Sequence, residues 1–201
     1  MRGILKPGER LRVADVAQRY GGGTIPTREA LSRLSVEMLV IYLDQRGFAV
    51  APISQESLED LTRARMWTAE VAVREAVRQG DSAWEERVLL AYHRLSKMSR
   101  YESVDPPVVN PAFDPLHREF HMEIFSGCGS RWMVDTCARL FDHADRYRNL
   151  SRHAVVMPRE EEHKELVDAV LQRNEAKAMS VISDHFRLTA QIVGNFGGQQ
   201  D

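Results

Sequence analysis

The sequence has few cysteines and no long apolar run. Its 201 residues include two cysteines, Cys128 and Cys137, and no Cys-x-x-Cys motif, so a disulfide framework is not expected. No apolar run approaches the roughly 20 residues that cross a bilayer. Residues 1–8 lack the apolar stretch of a signal peptide. These absences predict a cytoplasmic protein with free thiols and no membrane partner.

The charge is nearly balanced overall but is unevenly placed along the chain. The formal net charge is −2. Residues 1–51 hold eight Lys/Arg against five Asp/Glu, whereas residues 52–201 hold nineteen against twenty-four. A basic N-terminal region favours a polyanion as its partner. The alternative is a chance fluctuation, and charge alone does not decide between them.

Residues 114–125 have the pattern of an amphipathic helix that carries two histidines. Pro115 suits a first helical turn, where its missing N–H costs nothing. His117 and His121 are four residues apart, so they stack on one side of the helix. The apolar face consists of Leu116, Phe120, Ile124 and Phe125. Two imidazoles at this spacing are a common way for a helix to hold a metal ion.

Two further histidines, His163 and His185, each lie beside apolar residues in a predicted helix. If these helices form a bundle, four imidazoles meet in one interior. The alternative is that each imidazole is a hydrogen-bonded core residue, since the His-x-x-x-His spacing arises easily by chance. The residues alone leave both readings open.

The C-terminal region predicts six helices joined by short connections, which is typical of an antiparallel bundle. We expect residues 101–110 to form a loop because they contain Pro106 and Pro107. Trp67 and Trp132 are expected in the core. Residues 52–57 are predicted to be a linker and residues 195–201 a tail. The predicted helices cover residues 58–79, 81–100, 114–126, 130–153, 158–172 and 174–193.

The first 51 residues predict a winged helix-turn-helix. Residues 11–20 read as a short helix, three glycines at 21–23 break it, and residues 27–40 read as a second helix. Residues 41–43 and 48–50 then predict a two-stranded hairpin. In a winged helix the second helix enters the major groove of DNA. The alternative is a small α+β subdomain of another kind.

Three segments of this region carry a more specific signal. They are Pro7-Gly-Glu-Arg-Leu-Arg12, Pro26-Thr-Arg-Glu-Ala-Leu-Ser-Arg-Leu34 and Gln45-Arg-Gly-Phe-Ala-Val-Ala51. In order and spacing they resemble the DNA-binding domain of the GntR family of bacterial transcription regulators. The resemblance implies DNA contacts from Lys6, Arg12, Thr24, Thr27, Arg28, Arg33, Arg46 and Gly47.

The sequence departs from the family pattern at four places. Only residues 1–5 precede the Pro-Gly turn, where the family has a longer helix, so we expect either a truncated domain or a misassigned start codon. Gly22-Gly23 replaces Val-Ser, which removes a helix cap contributing about 1 kcal/mol. Thr24 replaces a frequent Arg, and Met38 replaces the usual Gly.

The region from residue 58 to 194 is similar to the FCD ligand-sensing domain of FadR-like regulators. The resemblance is carried by Arg65, His117-x-x-Phe-His121, Cys128-Gly-Ser130, Ala144-Asp-Arg-Tyr-Arg148, Glu162-His-Lys-Glu-Leu-Val-Asp-Ala169 and Asp184-His185. It implies a divalent metal, zinc or nickel rather than magnesium, held by His117, His121, His163 and His185. His117 stands where the family usually has Asp, so the fourth position is either a ligand or left to effector or water.

The resemblance also implies a carboxylate effector bound by arginine. Arg65, Arg146 and Arg148 are candidates for bidentate binding. We assign Arg65, which matches a family position, and Arg146. The alternative for each is a surface salt bridge, and a metal-free pocket whose imidazoles bind an organic acid directly also remains open.

The sequence thus predicts a mainly α-helical homodimeric repressor that binds a palindromic operator and is controlled by a small organic acid. A sensor that has lost DNA binding is the first alternative. A metalloenzyme is the second. No general base such as the Glu of His-Glu-x-x-His accompanies the histidine pair, because Glu119 and Glu123 lie on other faces or a turn away. We therefore predict that the protein is not an enzyme.

Overall fold

The computed structural model describes residues 5–44, 46–105, 107–151 and 161–197. The chain divides into two compact units, Met1–Ser54 and Gln55–Asp201. The first carries the short strands and helices expected of a winged helix. The second is mainly helical. The fold predicted from the sequence is confirmed in both units.

Within its described residues, the first unit runs strand, helix, helix, strand, strand. The elements are β1 (Arg10–Leu11), α1 (Val13–Arg19), α2 (Thr24–Val36), β2 (Val40–Leu43) and β3 (Gly47–Val50). The strands form an antiparallel sheet in the order β1-β3-β2. The predicted hairpin is therefore present, and a third strand extends it.

The small core of the first unit explains this sheet. Leu11 on β1 lies opposite Phe48 on β3, and both side chains are buried. Leu31 from α2 and Val40 from β2 complete the cluster. The sequence did not reveal β1, because two residues are too few to show an alternating pattern. This strand forms because it pairs with β3, and not because its own two residues favour a strand.

The second unit consists of long helices and one short hairpin. Its elements are α3 (Gln55–Gln79), α4 (Ser82–Ser96), β4 (Tyr101–Val104), β5 (Pro107–Val109), α5 (Phe113–Ser126), α6 (Arg131–Ser151), α7 (Glu162–Leu171) and α8 (Glu175–Gly197). The prediction that residues 101–110 form a loop is wrong. Tyr101 pairs with Val109 and Val104 with Pro107, so β4 and β5 form an antiparallel hairpin.

Some helix boundaries differ from the prediction. Helix α3 begins at Gln55, inside the predicted linker. Helix α8 continues through Gly197, so the predicted tail from residue 195 is helical over its first three residues. The predicted start of a helix at Pro158 lies outside the described residues. Residues 1–4, which belong to the segment where a shortened first helix was predicted, also lie outside them.

The helices of the second unit enclose one large core, and two tryptophans lie outside it. Trp84 is fully buried, whereas Trp67 and Trp132 are 65% and 84% exposed. The prediction that Trp67 and Trp132 are core residues is wrong. Each lies on the outer side of its helix, α3 or α6. No described helix is both long and apolar enough to span a membrane.

Candidate functional site

The DNA-binding candidates lie on the surface of the first unit. Lys6, Arg12, Thr24, Arg28, Arg33 and Arg46 are exposed, and Thr27 and Gly47 are partly buried. Thr24 and Arg28 are four apart on α2 and so share a face. Arg33 is nine residues from Thr24, which places it about half a turn away. These positions remain predicted DNA contacts.

The first turn of α2 has an unusual cap. Gly23 is the N-cap residue and supplies no side-chain hydrogen bond. The hydroxyl of Thr27 donates back to the carbonyl of Gly23 at 2.8 Å, which leaves the backbone N–H groups of the first turn without a side-chain cap. After the helix, Met38 has a φ of 56°, in the left-handed region that favours glycine. Met38 therefore stands where the backbone favours glycine, whereas Gly23 has ordinary extended backbone and lacks only a capping side chain.

Four histidines meet in the interior of the second unit. His117 and His121 come from α5, His163 from α7 and His185 from α8, and all four are buried. One ring nitrogen from each lies within 4.8 Å of the others. The ring centroids of His117 and His121 are 4.6 Å apart, and those of His163 and His185 are 4.8 Å apart. The predicted convergence of the four imidazoles is present.

Burial keeps the first pair of imidazoles neutral. It lowers the pKa of His117 well below the ordinary value, and the neighbouring imidazole of His121 lowers it further because two adjacent imidazolium charges would repel each other. The pKa of His121 is lowered in the same way, by burial first and then by His185 and His163. A neutral imidazole offers one nitrogen lone pair, which is the form that binds metals.

The hydrogen bonds of the cluster fix where its protons lie. Nη1 of Arg148 lies 3.2 Å from Nδ1 of His117, and Nε2 of His117 lies 3.1 Å from Nε2 of His121. Arginine only donates, so Nδ1 of His117 accepts and its Nε2–H donates to His121. The proton of His121 then sits on Nδ1, which is buried with no hydrogen-bond partner among the described residues. A buried donor without a partner costs about 1–3 kcal/mol.

Arg65 on α3 places a buried positive charge in the same interior. Its side chain is buried, and its guanidinium lies 3.8 Å from the ring centroid of Phe186 and 5.6 Å from that of Phe141. No carboxylate in the described part of the chain pairs with it. Burial, together with the charge of Arg148, lowers the pKa of Arg65 to about 9. The guanidinium is therefore still charged at neutral pH, without a counter-ion among the described residues.

Of the two further arginines considered from the sequence, Arg148 is the one at the histidines. It forms an ion pair with Asp145 and lies 4.8 Å from the ring centroid of Phe141. Arg146 is half-buried, and burial lowers its pKa. Residues two apart do not share a helix face. The assignment of Arg146 to the effector thus remains a prediction, and the geometry favours Arg148 in that role.

A cavity of about 750 Å³ reaches the histidine cluster at one side. Its lining includes His163, Phe113 and, from the hairpin, Tyr101. Phe113 stacks on His117 with ring centroids 5.6 Å apart. The volume lies within the range of pockets that hold small organic molecules. The cavity therefore offers both space for a ligand and a route to the imidazoles.

Comparison with known proteins identifies the family. Residues 1–50 match the family of bacterial regulatory proteins called gntR, and residues 60–188 match the FCD domain. The chain belongs to the GntR family of transcription regulators with an FCD domain. The family consists of regulators rather than enzymes, so the predictions of a transcription regulator and of no enzymatic activity are confirmed.

Two known regulators are similar to nearly the whole chain. The HTH-type transcriptional repressor GlaR of Escherichia coli (strain K12) is 34% identical over 199 residues, covering 96% of this chain and 90% of that protein. BphR of Paraburkholderia xenovorans, an HTH-type transcriptional regulator, is also 34% identical over 199 residues, covering 97% and 80%. The resemblance predicted from the sequence motifs is thus confirmed.

Solved structures share the fold. E. coli McbR/YncC has a TM-score of 0.76 at 18% identity, covering 97% of this chain and 91% of that one. A GntR family member from Pseudomonas syringae pv. tomato has a TM-score of 0.61 at 19% identity, covering 98% and 82%.

Proposed function

We propose that the protein is a cytoplasmic, homodimeric repressor whose operator binding is controlled by a small organic acid. The acid binds inside the helical unit at a divalent metal held by the cluster of His117, His121, His163 and His185. The single observation that carries the proposal is the buried, charged Arg65, which has no carboxylate partner in the described part of the chain and lies near His121 of the cluster.

The cluster fits a borderline divalent cation such as zinc or nickel. Imidazole nitrogen suits these ions, whereas magnesium prefers oxygen ligands. One ring nitrogen from each of the four buried imidazoles lies within 4.8 Å of the others, which is the arrangement of candidate metal ligands. A bound metal supplies a fixed positive charge that attracts and orients an anion. A histidine ligand binds a metal as neutral imidazole, so the whole charge of the ion would remain to be balanced.

The charges around the cluster favour an anionic effector. Arg65 and Arg148 are both buried near it, and Asp145 offsets only Arg148. With a divalent metal the interior carries a clear excess of positive charge, which is costly in a medium of low dielectric constant. A carboxylate would balance this excess and accept hydrogen bonds from the guanidinium groups. The adjoining cavity leaves room for the remainder of the acid.

The DNA-binding proposal rests on the exposed basic residues of the first unit. Thr24 and Arg28 on one face of α2 are proposed to reach base edges, and Lys6, Arg12, Arg33 and Arg46 to contact phosphates. Thr27 and Gly47 would contact the backbone of the DNA. Regulators of this kind bind palindromes as dimers. The exposed Trp67 and Trp132 support a dimer surface, since tryptophan is enriched at protein interfaces.

Regulation requires that the effector bind one conformation more tightly than the other. The relative GlaR is a repressor by name, and we propose the same sign of control here. Binding of the acid would then weaken operator binding.

The experiment is a gel-shift titration of the purified protein with DNA from its own upstream region. It is run at two salt concentrations, with and without chelator, and with a panel of mono- and dicarboxylic acids. We expect a sequence-selective shift that one acid abolishes, and we expect chelation to remove the response to that acid. A shift that no acid alters at any metal content would contradict effector control. Absence of any shift, also after extension of the N-terminus, would favour a sensor without DNA binding.

A further inference from the structure

The position of Arg148 limits what His117 can do at a metal. Nη1 of Arg148 lies 3.2 Å from Nδ1 of His117. Arginine has no lone pair to offer, so this ring nitrogen must carry the lone pair and the other ring nitrogen the proton. Nε2 of His117 is the nitrogen that faces the cluster, 3.1 Å from Nε2 of His121. His117 thus presents an N–H to the interior, whereas a ligand must present a lone pair.

Making His117 a ligand would require the proton to move to Nδ1, where it would point at an N–H of Arg148. Histidines that bind metals have the reverse arrangement, with the second N–H donated to a carboxylate, carbonyl or water. Arg148 is held in place by its ion pair with Asp145 and by the ring of Phe141. Four-histidine coordination therefore requires Arg148 to leave a buried and well-anchored position.

We propose that His121, His163 and His185 hold the metal, and that His117 instead donates its Nε2–H to an oxygen of the anion bound there. Once the metal takes the lone pair of His121, the N–H of His117 loses its present acceptor. An oxygen of the bound anion would then take the place of that acceptor. Arg148 fixes the tautomer that makes this donation possible. The inference rests on the proposed function, since it assumes that the cluster binds a metal.

The proposal gives His117 and His121 different roles although they lie one turn apart on α5. Cobalt(II) is a suitable probe because its affinity and absorption spectrum both report coordination. We would measure cobalt(II) affinity by chelator competition, and acetate affinity by the change in the cobalt(II) spectrum. Circular dichroism establishes that each variant is folded.

The first comparison is His117→Ala against His121→Ala, which remove the same group from neighbouring buried positions. We expect His117→Ala to bind one cobalt(II) per chain within about tenfold of the wild-type affinity, the scale of an outer-shell change. Its acetate affinity should fall at least tenfold. His121→Ala should lose cobalt(II) affinity by more than a hundredfold. Equal losses of cobalt(II) affinity in the two variants would overturn the inference.

His117→Gln is the conservative variant. Its amide can accept from Arg148 and donate inward, but an amide is a poor ligand for cobalt(II). We expect it to keep both cobalt(II) and acetate affinity, whereas a fourth ligand would not be replaced by Gln. If either alanine variant is unfolded, His117→Gln and its counterpart His121→Gln decide the question in the same way.

Arg148→Met provides an independent test. Without the guanidinium, Nδ1 of His117 can carry the proton and Nε2 can ligate, so cobalt(II) affinity should rise and acetate affinity should fall. Unchanged values for both would count against the role of Arg148. Failure of the wild-type protein to bind cobalt(II) or zinc at all would remove the proposed metal site itself. Wild-type binding that is lost equally in both histidine variants would remove only this inference.

Discussion

The guanidinium of Arg65 lies over the ring of Phe186, 3.8 Å from its centroid, deep inside the helical unit. An aromatic face stabilises a cation but does not neutralise it. We expect Arg65→Met to leave the free energy of unfolding unchanged or higher, because replacing a buried charge by an apolar side chain is often neutral or stabilising. Acetate affinity of the metal-loaded protein should fall about 10- to 100-fold, the effect of losing a charged hydrogen bond.

Urea unfolding and acetate titration measure the two effects. Arg63→Met is the matched control, because Arg63 lies on the same helix but is exposed and pairs with Asp60. A large loss of stability with unchanged acetate affinity would assign Arg65 to the fold rather than to the effector.

The buried histidines predict how stability depends on pH. Burial lowers the pKa of His117 and His121 in the folded protein, whereas the unfolded chain titrates near pH 6.5. Below that pH the unfolded state binds more protons than the folded state. The free energy of unfolding therefore keeps its full value above pH 6.5 and decreases as the pH falls below it. Each histidine contributes a slope of about 1.4 kcal/mol per pH unit. Urea unfolding in chelator between pH 5 and 7.5 measures the slope.

The control for the pH dependence is His117→Ala. It should reduce the slope of the unfolding free energy against pH by about 1.4 kcal/mol per pH unit, the contribution of one histidine. A slope that is the same with and without His117 would contradict the lowered pKa of this residue.

Local signals in the sequence were sufficient for the ends of several helices. Asp81, Ser130 and Asn174 were expected at helix starts, and each accepts a hydrogen bond from a backbone N–H three residues later. The His117 and His121 pair was readable for the same reason, since residues four apart always share a helix face. Such features depend on neighbours along the chain.

Features that depend on distant partners were not readable in this way. Strand β1 exists because β3 lies beside it. Arg148 on α6 contacts His117 on α5, which lies 31 positions earlier in the chain. No spacing rule predicts that Arg148 rather than Arg146 makes this contact. The exposure of Trp67 and Trp132 likewise follows from how helices are rotated in the bundle, which the hydrophobic pattern alone did not reveal.

Gly80 and Gly127, which directly follow α3 and α5, make room for Trp84. A Cβ added at Gly127 would lie 2.5 Å from Cε2 of Trp84, and one at Gly80 would lie 2.0 Å from Cε3. The indole N–H donates to the carbonyl of Glu123 at 2.8 Å, so the ring has little freedom to move. We expect Gly127→Ala to lower the free energy of unfolding by about 1–3 kcal/mol, the cost of overpacking. Urea unfolding measures this cost.

The double variant tests the cause of that effect. In a Trp84→Phe background the smaller ring should accommodate the added methyl group, so the Gly127→Ala cost should shrink. An equal cost in both backgrounds would place the effect in the backbone of the turn instead.

Met38 provides a prediction for the first unit. Its φ of 56° strains any residue that has a Cβ. Met38→Gly should therefore raise the stability of this unit by about 1 kcal/mol. Met38→Ala is the matched control, since it removes the same exposed side chain but keeps the Cβ. Thermal unfolding followed by circular dichroism would show the gain for Gly alone. A gain of the same size for Ala would mean that the exposed side chain, rather than the backbone, is responsible.

Arg46 lies in the turn between β2 and β3, where a wing meets the DNA backbone. A phosphate contact there carries no sequence information, so Arg46→Ala should weaken binding to operator and to unrelated DNA by a similar factor. It should also reduce the slope of log K against log salt by about 0.9, the release of one counterion. Gel shifts at several salt concentrations measure both. Arg63→Ala, an exposed arginine of the helical unit, should leave the slope unchanged. A loss confined to the operator would make Arg46 a base contact, and an unchanged slope would remove it from the DNA interface.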